Sequence, residues 1–322
     1  MTVPKDYLST CYMPIELHIN DTARQLTQQL EAAGKSGFDL HLVDCIPADK
    51  LYGADNRAIV TDQQLFPRNT LERHVAQFSR TINGMYYMPE NTWHRNITRD
   101  FNCFINRFDP VRQSWFYFLA RENLLDQGYV SFLMTLKEEA KDWPNPMDYF
   151  DHVHNNYLTA FPELYEKVRP RLPFKNFVDT GNLCDTVLSS KFSLVLETYF
   201  ERTDCITFSE KIFRALQLPR PWLLFHATGA VKILRDWGFY VFDDVVDHSY
   251  DDLDTTETCV PRQQAILNQI PKLQNLVITQ SMLDHWEDKT RSNCKLLEMW
   301  YNNCVPDAER VLNETFQYCM EQ

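Results

Sequence analysis

Glycine is scarce, with 8 among 322 residues, so no flexible Gly/Ser linker separates independent modules. Cysteine spacing is uninformative in a useful way. None of the nine cysteines forms a Cys-x-x-Cys pair, which argues against a zinc knuckle or dithiol redox motif. Free thiols in a reducing cytosol are the simple expectation. Long apolar runs are missing as well. Stretches such as Trp222-Leu223-Leu224-Phe225 fall far short of the roughly 20 residues that span a membrane. Met1 to Met13 lacks the basic start and apolar run of a signal peptide, so the expected location is the cytoplasm. Basic charge is in deficit: the formal net charge is −12, which argues against an extensive nucleic-acid footprint while leaving room for a local basic cleft. No Gly-x-Gly-x-x-Gly, Walker phosphate loop, Gly-x-Ser-x-Gly elbow or His-Glu-x-x-His occurs. Those absences remove the common dinucleotide-binding, ATPase, hydrolase and zincin readings.

What the chain has is apolar and aromatic mass: 44% hydrophobic residues, including 21 Phe, 15 Tyr and 7 Trp. Thr22 to Ala33 reads as an amphipathic helix ended by Gly34. Phe38 to Val43 reads as a buried strand, and Leu71 to Phe78 as a helix. Asn102 to Asn106 then reads as a strand, Val111 to Leu125 as a helix and Tyr129 to Leu133 as a strand. A second alternation follows: Phe192 to Tyr199 strand, Thr207 to Leu218 helix, Pro221 to Phe225 strand, Gly229 to Trp237 helix and Tyr240 to Phe242 strand. Such alternation predicts an α/β fold with parallel sheets. Pro261 to Gln322 reads as mostly helical. Proline-rich breaks at Trp143 to Pro146 and Arg169 to Pro173 are candidate boundaries. The expected architecture is two Rossmann-like lobes, 1–145 and 146–322, with a helical C-terminal region. Ligands of such sheets lie outside the carboxyl ends of the strands.

The chemistry-bearing segment is Lys191-Phe192-Ser193-Leu194-Val195-Leu196-Glu197, followed by Ile206-Thr207-Phe208-Ser209-Glu210-Lys211 and on to Arg214-Ala215. A buried strand ends in a carboxylate, and a helix then opens with Ser, Glu and Lys. A helix start suits phosphate, and Lys211 adds a full charge. Thr207-x-x-Glu210 is equally an ordinary capping box, with Lys211 a solvated helix lysine.

These residues resemble the donor-binding motif of the α-1,3-fucosyltransferases. The strand half matches at Lys191, Phe192, Leu194 and Glu197, and the helix half at Ile206, Ser209, Glu210 and Lys211. Viral and phage glycosyltransferase-like proteins are similar through Gly229, Leu234-Arg235, Gly238-Phe239 and Asp247-x-Ser249-Tyr250-Asp251. Asn102 to Arg112 resembles their strand-and-arginine segment, in which an arginine contacts the donor pyrophosphate. Arg107 and Arg112 are both candidates, and Arg107 is preferred at the strand end. Thr198-Tyr199 departs from the family's Asn-Ser. The resemblance covers about Asn102 to Asp251. It implies a GT-B-type, metal-independent glycosyltransferase with a nucleoside-diphosphate sugar as co-substrate and no other cofactor. Donor-binding residues are then Arg107, Arg112, Glu197, Ser209, Glu210 and Lys211. The acceptor could be a glycan, a protein or a hydroxymethylated base in viral DNA. Asp62, Glu90 and His94 are the candidates for a catalytic base, beside Glu72 and His74. The alternative is a non-catalytic nucleotide- or partner-binding protein on a degenerate fold of the same kind.

Three further features read blandly. The aspartates from Asp243 to Asp254 read as a solvated loop. His152-x-His154 lacks a third ligand and reads as a polar loop. Trp93-His94 reads as an aromatic packing corner.

Overall fold

The computed structural model describes residues 24–26, 28–34, 41–43, 59–61, 64–65, 72–74, 96–107, 110–135, 169–177, 183–197, 205–206, 208, 210–255 and 259–321. Among the described residues the strands, in chain order, are β1 (His41–Val43), β2 (Ile59–Thr61), β3 (Gln64–Leu65), β4 (Glu72–His74), β5 (Arg99–Arg107), β6 (Gly128–Thr135), β7 (Phe174–Lys175), β8 (Ser190–Leu196), β9 (Cys205–Ile206) and β10 (Trp222–Phe225). Helices run over Pro110–Arg121, Leu183–Leu188, Glu210–Leu216, Ala230–Asp236, Val260–Leu267, Ile270–Gln274 and Gln280–Glu321.

The principal sheet has five strands in the order β10-β8-β5-β6-β7. All neighbours are parallel except β6 and β7, which are antiparallel. A separate three-stranded parallel sheet has the order β1-β2-β4. The fold is therefore α/β. β5 and β6 precede residue 145 and β8 and β10 follow it, yet all four belong to one sheet.

Strand composition explains the burial. Parallel strands are covered on both faces and carry near-continuous apolar runs. Ser-Lys-Phe-Ser-Leu-Val-Leu of β8 is buried at every position except the half-buried Lys191. In register, Phe101 lies beside Phe192 and Leu194 beside Leu223, so these side chains share one face. Phe101 and Phe192 stack there with ring centroids 5.7 Å apart. The helix Pro110–Arg121 covers that face: Trp115 meets Phe225 edge-on at 5.2 Å, and Phe116 meets Phe132 at 5.1 Å. Gly128 opens β6 because a Cβ there would lie 2.6 Å from the Phe101 ring. Arg220, fully enclosed, donates to the carbonyls of Leu188, Ser190 and Pro219 and so ties the start of β8 to the turn before β10. Burial without an anionic partner pulls its guanidinium down to about 10.

Several expectations hold with small shifts. The N-terminal segment is helical over 24–26 and 28–32, buries Leu26 and Leu30, and ends at Gly34 with φ 75°. The region after Pro261 is helical over most of its length. Two expectations need correction. Glu72–His74 is a strand paired with β2, inside the stretch expected to be helical. Its spacing of Leu71, Val75 and Phe78 suits a helix, but a short apolar pattern yields to available strand pairing. Tyr240 to Phe242 is not a strand. The Asn293 side chain accepts from the Tyr240 N–H and donates to its carbonyl, taking the bonds a neighbouring strand would make. Phe242 then turns the chain with φ 63°. The aspartates from Asp243 to Asp254 face solvent as expected at Asp243, Asp244, Asp247, Asp252 and Asp254, and only Asp251 is buried. Asp243 takes two hydrogen bonds from Arg235, and Asp244 accepts from Trp286 and Tyr240.

Candidate nucleotide cleft

The chain enters the principal sheet at its middle, in β5. It moves one way to β6 and then, after β7, returns to β8 on the other side and moves on to β10. The order reverses between β5 and β8. At such a switch point the crossover segments diverge, which opens a crevice outside the strand ends.

A cleft with a cavity volume of about 90 Å³ lies against these two strands. Asn102 and Phe104 from β5 and Ser193 to Leu196 from β8 form its floor. Val187 closes one side, and Lys211, Arg214 and Ala215 close the other. In register, Asn102 lies beside Ser193, on the face away from Phe101 and Phe192. The cleft thus opens on the face opposite the helix Pro110–Arg121.

Glu197 directly follows β8, and its N–H extends the ladder by donating to Phe225. Its carboxylate is completely buried. One oxygen accepts the Ile212 N–H at 3.3 Å, and the other lies 3.6 Å from Lys211 Nζ. A buried carboxylate is costly unless paired, and here a helix-start N–H and an ammonium share the charge. The helix Glu210–Leu216 is held inward by Ile212, Phe213 and Leu216, all fully enclosed. Lys211 keeps 28% of its side-chain surface exposed at the cleft.

The expected site residues are distributed unevenly. Glu197 and Lys211 come together, with Lys211 in the cleft and Glu197 beneath it. Glu210 is the first residue of the helix. Arg107 ends β5 at the carboxyl edge. Arg112 is buried on the opposite face, where its charge acts on the Cys103 thiol. Burial pushes that thiol far above its ordinary value, and Arg112 only tempers the effect. Glu72 and His74 belong to β4. Asp62, Glu90, His94, Ser209, Thr207, Trp93, His152, His154 and the break at Trp143 to Pro146 lie outside the described residues.

Asn102, Ser193 and Arg214 line the cleft without having been singled out as site residues. A signal was present for two of them: Asn102 and Ser193 interrupt otherwise apolar strands. Among the described residues, no group of three or more His, Cys, Asp or Glu side chains is arranged to hold a metal ion. Among the same residues, no helix is long and apolar enough to cross a membrane. No family model, curated protein or solved structure matches this chain.

Proposed function

We propose that this protein transfers a sugar from a nucleoside-diphosphate sugar to a hydroxyl acceptor and holds the donor in the cleft between β5 and β8. The single observation that carries this reading is the position of Lys211. A cation anchored by a buried carboxylate borders a cleft at the switch point of a parallel sheet. The motif resemblance over Lys191 to Lys211 supports the same assignment.

In this reaction the acceptor oxygen attacks the anomeric carbon and the bond from that carbon to the phosphate oxygen breaks. The acceptor proton passes to a general base, for which Asp62, Glu90 and His94 remain the candidates. Negative charge grows on the departing diphosphate, and fixed cations there lower the barrier. Lys211 and Arg214 from the cleft wall suit that task, with Arg107 at the end of β5 as a further contributor. The donor lobe is then built around the five-stranded sheet, and the acceptor side falls to the sheet of β1, β2 and β4. The reaction is proposed to run in the cytoplasm without a divalent metal, on a glycan, a protein or a modified viral DNA base.

Incubation with a panel of nucleoside-diphosphate sugars tests this reading. The expected result is ligand-dependent stabilisation by at least one donor, with slow release of free nucleotide that survives EDTA. Stabilisation with no release under any condition would favour the non-catalytic binder. Loss in EDTA with rescue by manganese would overturn metal independence. No stabilisation by any donor would overturn the assignment.

A further inference from the structure

The floor of the cleft carries a polar pair that links β5 to β8. Asn102 and Ser193 are 3% and 4% exposed, and both border the cleft. The Asn102 amide nitrogen donates to the Phe192 carbonyl at 3.3 Å and to Ser193 Oγ at 2.9 Å. A carbonyl only accepts, so the amide orientation is fixed: nitrogen toward Phe192, oxygen away from it. Both amide protons are thereby used. Asn102 Oδ1 is left as an acceptor, and the Ser193 hydroxyl, having accepted, keeps a proton to donate. Neither has another hydrogen-bond partner among the described residues. An acceptor and a donor side by side on the floor of a cleft suit a ligand that supplies the complement.

The distance to the cation adds a second constraint. Ser193 lies four residues before Glu197 in an extended strand. The polar pair is therefore about 13 Å along the strand from the carboxylate that anchors Lys211. Phe104 and Val187 supply apolar surface beside the pair. The complementary ligand has a flat ring with neighbouring donor and acceptor atoms at one end and an anionic group at the other.

We infer that Asn102 and Ser193 form the base-reading floor of the cleft: they bind the hydrogen-bonding edge of a nucleobase while Lys211 takes the diphosphate. This rests on the nucleotide-sugar reading and deepens it by orienting the donor, base inward and phosphates at the mouth. Asn102 and Ser193 become specificity residues, and Lys211 acts without regard to base.

Calorimetric titration of UDP, GDP, ADP and CDP, and separately of inorganic pyrophosphate, into four proteins tests the inference. These are the wild type, Ser193→Ala, Ser193→Thr and Lys211→Met, each with its melting temperature recorded. Ser193→Ala keeps the Asn102 bond to Phe192, and its melting temperature checks that the fold is retained. It should weaken the preferred diphosphate about ten-fold, as loss of one hydrogen bond does. It should also narrow the spread among the four bases and leave pyrophosphate binding unchanged. Lys211→Met should weaken pyrophosphate and all four nucleotides alike. Ser193→Thr, which keeps the hydroxyl, should restore the base preference. If Ser193→Ala melts normally and binds every nucleotide as the wild type does, the base-reading floor is overturned while nucleotide binding stands. If the wild type binds none of the four nucleotides, the floor and the donor site fall together.

Discussion

Glu197 lies completely buried with one carboxylate oxygen 3.6 Å from Lys211 Nζ and the other accepting the Ile212 N–H at 3.3 Å. The pair links the end of β8 to the start of the next helix. The helix-start donor expected for phosphate is thus taken by the chain's own carboxylate, and Lys211 is left as the cation bordering the cleft.

Replacing Glu197 with Gln should therefore act twice. The amide keeps the shape but removes the charge that holds Lys211. Stability should drop by about 1–3 kcal/mol, the scale of a buried polar group losing its partner. Donor affinity should drop with it, because Lys211 is no longer positioned. Thermal melting and titration of donor nucleotide check both. A variant with normal melting and normal affinity would reduce the motif to a structural coincidence.

Lys211→Ala should cost about 1.5–3 kcal/mol of nucleotide affinity, the worth of a charge-assisted contact. By the relation between free energy and affinity, this is roughly 10- to 150-fold in Kd. Melting should also fall, since Glu197 then keeps the Ile212 N–H but loses the ammonium. Measured Kd values equal to wild type would refute the diphosphate contact.

Gly128→Ala tests the sheet that supports the cleft. The added methyl would sit 2.6 Å from the ring of Phe101, which is fully enclosed and stacked on Phe192. Overpacking of this kind costs about 1–3 kcal/mol. The urea midpoint should fall accordingly, and an unchanged midpoint would mean that β6 can draw away from Phe101.

Acidification should weaken the protein through His248. Its Nε2 donates to the Val241 carbonyl, so Nδ1 accepts from the Tyr250 hydroxyl at 2.8 Å, and that hydroxyl in turn accepts the Leu224 N–H at 3.1 Å. Burial is the main cause that holds His248 below its ordinary pKa. The unfolded chain therefore takes up a proton first, as pH falls through about 6.5. Stability contributed by neutral His248 is complete above that pH and declines below it, until the folded-state pKa is passed. The slope is at most about 1.4 kcal/mol per pH unit. Asp251 opposes this at lower pH, because burial raises its pKa and the folded state then binds the extra proton. Melting temperatures from pH 8 to 5.5 should show the decline, and His248→Gln should flatten it. Parallel curves for the two proteins would assign the decline elsewhere.

Local pattern determined what kind of element most segments form. The apolar runs Phe192 to Leu196 and Trp222 to Phe225 read as buried strands without any knowledge of their neighbours, because few residues with that composition fit anything else. The helical stretch after Pro261 was legible for the same reason. The pairing of Glu197 with the helix that follows it was not, since the expectation placed that carboxylate on the donor. What tertiary structure alone decided is which strands lie side by side. Asn102 meets Ser193 across 91 residues, and the hydrogen bond from the Asn102 amide to the Ser193 hydroxyl exists only because β5 and β8 pair in that register. The same pairing joins strands from both sides of residue 145, makes the switch point, and sends Arg112 and Lys211 to opposite faces of one sheet. Short ambiguous segments such as Glu72–His74 and Tyr240 to Phe242 were also settled by what packs against them. Hydrophobic periodicity is a property of neighbouring residues, whereas strand register is won by burial and hydrogen bonding summed over the whole sheet.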